Sequence, residues 1–139
     1  MWRNVSFVVI VALIIVGAVA WPTATSFAQG GQAASPSIRI VKPKAGETTK
    51  TQGIEVTVAI KNFKLDGRAV GKSPLQGRGH WHLFLDNRDL GPQKKPTAKV
   101  KSIPAGEHTV IASLRNNNHS ELSPPVSDTV KFVVGVKKK

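Results

Sequence analysis

The stretch Gly77-Arg-Gly-His-Trp-His-Leu-Phe-Leu-Asp-Asn87 decides the fold. Side chains alternate across an extended chain, so Trp81, Leu83 and Leu85 share one face and His80 and His82 share the other. A mid-chain tryptophan flanked at i+2 and i+4 by leucines predicts a core strand facing a second sheet. The two histidines would then point outward, about 7 Å apart at Cα.

The same period of two recurs on both sides. Ile54, Val56, Val58 and Ile60 alternate with Glu55, Thr57 and Ala59, a half-buried strand. Val110, Ala112 and Leu114 place the inner face of a strand over residues 107–115, and Val130, Phe132, Val134 and Val136 do so over 129–136. Shorter strands are expected at 37–41 and 98–103, and 80–86 is the strand of the opening stretch. Residues 64–79, with four glycines and a proline, read as a long loop, 87–96 as turn and loop, and 116–125 as a polar loop closed by two prolines. No helical stripe appears. Strands separated by turn signals predict an all-β fold, an antiparallel immunoglobulin-like β-sandwich, with a small β-barrel as the alternative. The segment Ile103-Pro-Ala-Gly-Glu-His108 reads as the corner where many sandwiches place a tyrosine bonded to backbone. The chain has no tyrosine, and His108 takes that place.

The N-terminus carries Arg3, then a charge-free run from Val5 to Ala20, then Ser26-Phe27-Ala28. A basic start, an apolar middle and a small-x-small ending predict a secretory signal over residues 1–28, cut after Ala28. An uncleaved membrane anchor is the rival reading. Residues 29–36 form a Gly/Ala/Gln/Ser linker, 37–136 the sandwich, and 137–139 a basic tail. There is no cysteine, which excludes thiol catalysis and thiolate metal sites and leaves the fold to its core. The formal net charge is +12, and loss of Arg3 with the signal lowers it by one. Lysines cluster at 42 and 44, at 94, 95, 99 and 101, and in the tail. Such charge suits anionic envelope polymers or lipids, or serves only to solubilise surface and protect edge strands. Nucleic acid is not an expected partner, because an exported chain with few aromatics offers no stacking platform.

His80 and His82 at i and i+2 can chelate one cation, but metal centres take three or four ligands. In an immunoglobulin-like sandwich the strand starting at His80 pairs antiparallel with the one ending at Arg115, so His119 falls at the same end. The candidate metal site is therefore His80, His82 and His119, with Glu121 or an asparagine as an oxygen donor. Imidazoles without thiolates suit Cu(II), Zn(II) or Ni(II) over calcium. The competing reading is a solvated strand face and a polar loop that happen to carry histidine. His108 is expected at the far end. Ser120 beside His119 lacks the setting of a nucleophile elbow, and Asp86-Asn-Arg-Asp89 reads as a turn capped by its own side chains.

Gly79-His-Trp-His-Leu-Phe-Leu-Asp86, Pro104-Ala-Gly-Glu-His-Thr109 and Asn118-His119 ahead of Pro124-Pro-Val-Ser127 together resemble a family of small exported bacterial domains of unknown function. Its members read Gly-His-His-His-Leu-x-x-Asp, then Pro-x-Gly-x-His-Thr, then a histidine before Pro-Pro-Val-x-Ser. The resemblance spans residues 79–134. It implies an immunoglobulin-like sandwich and metal binding at His80, His82, His108 and His119, with Trp81 in place of the family's middle histidine. The expected function is an exported, non-enzymatic binding module that takes copper or a similar ion through surface histidines. The alternative is a structural or interaction domain using its basic surface.

Overall fold

The structure, a computed structural model, describes residues 34–50 and 52–135. The expected signal over 1–28, most of the linker, Val136 and the basic tail lie outside the described residues. Those described form an all-β immunoglobulin-like sandwich. Its strands are β1 (Ser37–Lys42), β2 (Thr48–Thr49), β3 (Ile54–Lys61), β4 (Lys64–Leu65), β5 (Arg78–Leu85), β6 (Arg88–Gln93), β7 (Thr97–Val100), β8 (Gly106–Asn116) and β9 (Ser127–Val134).

One sheet runs β1-β3-β7 and the other β2-β9-β8-β5, with β4 and β6 both pairing β5. Two separate sheets with this strand order are the immunoglobulin-like arrangement and not a closed barrel. The pairings are antiparallel except for the two-residue β2–β9 and β4–β5 contacts. The apolar faces read from the sequence meet between the sheets. Ile38, Ile40, Val56, Val58 and Ala98 of the small sheet face Trp81, Leu83, Val110, Ala112, Leu114, Phe132 and Val134 of the large one. Each large aliphatic buried there contributes roughly 1.5–3 kcal/mol. Trp81 has no exposed surface, and its indole Nε1 donates to the Lys95 carbonyl at 2.8 Å. At one edge the Ile40 amide donates to Asp128 Oδ2 at 2.7 Å and ties the sheets together.

Two segments differ from their sequence reading. Residues 88–93, expected as loop, form β6, because Asp86 (φ 49°) and Asn87 (φ 65°) make a tight two-residue hairpin that returns the chain along β5. Pro92 is tolerated because β6 is an edge strand. Residues 64–65 pair with the start of β5 and anchor the loop that follows. Gly79 is required at that junction: a Cβ there would run into the Arg115 carbonyl oxygen and the Phe63 ring.

Candidate metal centre

The β5–β8 register sets Gly79 opposite Asn116, His80 opposite Arg115 and Trp81 opposite Leu114. It carries the chain leaving β8 to the end of the sandwich where β5 begins. The turn after β8 is closed by the His119 amide donating to the Asn116 carbonyl at 2.9 Å. Asn116 Nδ2 donates to Ser120 Oγ, which donates to Asn118 Oδ1. These bonds hold His119 in the left-handed region at φ 68° and aim its imidazole at β5. The sequence expectation that His80, His82 and His119 converge is met in the geometry. His80 Nε2 lies 3.1 Å from His119 Nδ1, His82 Nε2 lies 3.2 Å from His119 Nδ1, and the two Nε2 atoms are 3.2 Å apart. Among the described residues, these three are the one group of His, Asp or Glu side chains placed to hold a metal ion.

Neither the solvated strand face of the competing reading nor the surface placement expected of His80 and His82 is what the structure has. His80 is fully buried and His82 is 9% exposed, although both point away from the Trp81 core. The loop after β4 runs from one side of β5 to the β8 side: its Ala69 is buried, and its Gly71 amide donates to the Asn117 carbonyl at 2.7 Å. Asn117 is itself completely buried. Only His119 of the three remains exposed. Burial, followed by the neighbouring His82, His119 and Arg115, lowers the pKa of His80 to about 4. Its ring is therefore neutral at pH 7 and carries a lone pair free for coordination.

Asp89, read from sequence as a turn cap, does more than cap. Its Oδ1 accepts the Gly91 amide at 2.7 Å, and its Oδ2 lies 2.7 Å from His82 Nδ1. Burial works to raise the Asp89 pKa, but the Gly91 amide and the His82 bond outweigh it and the net shift is downward. An ionised carboxylate only accepts, so the proton sits on His82 Nδ1 and the Nε2 lone pair points at the other two rings. A carboxylate behind a ligating imidazole is the usual outer support of a histidine metal site. The hairpin signal Asp86-Asn87 could have revealed this role, since it returns Asp89 to the His82 face.

Glu121, a candidate oxygen donor, pairs instead with Arg115 Nη1 at 2.9 Å. Buried polar atoms without a protein partner cluster around the centre: His80 Nδ1, Arg115 Nε, and both side-chain atoms of Asn117. His108 stands apart, as its sequence position implied. Its Nδ1 lies 2.7 Å from Asp86 Oδ2 and its Nε2 2.9 Å from the Pro104 carbonyl, the corner contact expected of it. Both partners accept, so both nitrogens donate in the imidazolium form. The Asp86 bond, against a smaller opposing effect of burial, raises the His108 pKa. The resemblance-based extension of the ligand set to His108 does not hold in this geometry.

Fold and side chains together define an immunoglobulin-like sandwich with a three-imidazole cluster beneath two loops. No protein-family model and no curated protein sequence matches the chain. Among solved structures the chain is similar to a fibronectin(III)-like module of Clostridium thermocellum CbhA. The two share 17% sequence identity over 71% of this chain and 96% of that one, with a TM-score of 0.46.

Proposed function

We propose that this chain is an exported, non-enzymatic module that binds one Cu(II) or Zn(II) ion through His80, His82 and His119. The observation that carries the reading is the triangle of ring nitrogens with sides of 3.1–3.2 Å. Nitrogen ligands sit about 2.0–2.1 Å from zinc, and over this triangle they would subtend about 100° at the ion, close to tetrahedral. Three nitrogens this near one another cannot all carry protons, and a cation in their midst replaces the missing hydrogens. The all-imidazole donor set favours copper, zinc or nickel over hard cations. The motif resemblance points the same way, and the charge-free run before Ser26-Phe27-Ala28 supports export.

Calorimetric titration of the chain with Zn(II) and with Cu(II) tests the site. Saturable binding of one ion at neutral pH, lost in His80→Ala and in His119→Ala, is the expected result. No saturable heat with either ion would sink the proposal. N-terminal sequencing of protein recovered outside the cytoplasm, starting near Gln29, tests export, and a retained Met1 would favour the anchor.

The outer face of the small sheet favours a second reading. There Arg39 and Lys99 are exposed over small residues such as Ala59, with Glu55 the acidic neighbour of Lys99. A salt-sensitive attachment to acidic envelope polymers would follow, with half-saturation shifting steeply between low and physiological ionic strength.

A further inference from the structure

We infer that the coordination position left by the three imidazoles takes a small planar oxyanion, bicarbonate or a simple carboxylate, which bridges the ion to Arg115. The inference rests on the metal reading above and adds a second component to it. Arg115 is the cross-strand partner of His80, on the neighbouring strand of the same sheet. Cross-strand partners place their Cβ atoms about 4.5–5.5 Å apart, which puts the guanidinium stem alongside the His80 ring. The side chain of Arg115 is only 18% exposed, Nη1 is taken by Glu121, and the buried Nε has no protein partner.

Charge bookkeeping gives the reason for an anion. All three candidate ligands are imidazoles and bring no negative charge to a divalent ion, while Arg115 adds a cation beside it. The nearby carboxylates are committed elsewhere: Asp89 to His82 and Gly91, Glu121 to Arg115. A ligand that carries its own charge and at least two oxygens meets both needs. One oxygen completes the metal's coordination, and another accepts from the guanidinium fork, whose planar donors match a planar oxyanion. No bond is made or broken beyond coordination and hydrogen bonding.

The test is a Cu(II) titration, as the perchlorate salt in carbonate-free buffer without a coordinating anion, repeated with bicarbonate, acetate, phosphate or chloride. Bicarbonate or acetate should tighten copper binding by roughly fivefold or more, the lower end of typical site–site coupling, and should shift the visible d–d band. Linkage requires that copper tighten anion binding by the same factor, a check on the unaltered chain that needs no variant. Arg115→Gln should lose the coupling, so that the copper affinity of this variant is the same with and without bicarbonate. Saturable copper binding indifferent to every anion would overturn this inference and leave the metal site standing. Coupling by phosphate or chloride alone would overturn the planar bridge. Absence of saturable copper binding in every buffer would overturn the metal reading itself.

Discussion

Asp89 Oδ2 and His82 Nδ1 stand 2.7 Å apart across the β5–β6 hairpin, and this contact sets which nitrogen of His82 faces its neighbours. Asp89→Asn keeps the oxygen that can accept from Gly91 but removes the charge that holds the His82 tautomer. Metal affinity should fall roughly 10–100-fold with little change in melting temperature, as losses of such supporting groups do elsewhere. Calorimetry beside a thermal melt separates the two effects. Unchanged affinity would mean that the carboxylate serves only the hairpin.

Trp81 fills the space between the sheets with no exposed surface. Trp81→Ala should cost roughly 3–5 kcal/mol, a large share of what holds a domain of this size together. Chemical denaturation of the variant checks it. A melting point within a degree or two of the parent would contradict the packing described.

His119 is held at φ 68°, where a side chain is strained and glycine is not. His119→Gly should therefore stabilise the metal-free chain by about 1–2 kcal/mol while abolishing metal binding. A destabilised glycine variant would show that the imidazole itself holds the loop in the absence of metal.

The His108–Asp86 pair gives stability a definite pH window. His108 has a raised folded pKa, so its contribution is complete below the ordinary 6.5 and is lost as pH rises through the raised value. Asp86 behaves in the opposite sense. Burial works to raise its pKa, but the Thr109 amide and His108 overcome this and lower it. Its contribution is thus complete above the ordinary 3.8 and is lost as pH falls through the lowered value. Melting temperature should fall above neutral pH in the parent, and this slope should vanish in His108→Gln. Metal affinity should be untouched by that substitution, because none of the bonds made by His108 reaches the three-histidine cluster.

Much of the architecture was legible because it is local. The alternation at 54–60 and at 110–114 and the inward Trp81 follow from a period of two, and pairing β5 with β8 then brings His119 to His80. What escaped reading depends on contacts distant in sequence. His80 is fully buried, and the loop anchored at Lys64–Leu65 bonds to Asn117; no periodicity announces either. Strand β6 was hidden by Gly91 and Pro92, which argue against a strand unless it lies at an edge. The role of Asp89 was lost with it, since only the hairpin return places that carboxylate behind His82.

The chain has no cysteine, and nothing covalent ties its distant segments together. An ion held by His80 and His119 would join positions 39 residues apart, as a disulfide does in other sandwiches. Unlike a disulfide, this tie can be withdrawn by the surroundings. Ligand linkage adds about 2.7 kcal/mol at a free-ion concentration a hundred times Kd and nothing when the ion is scarce. Under the metal reading proposed above, the firmness of the domain then becomes a readout of metal supply, and metal starvation would leave a looser, more protease-sensitive form of it.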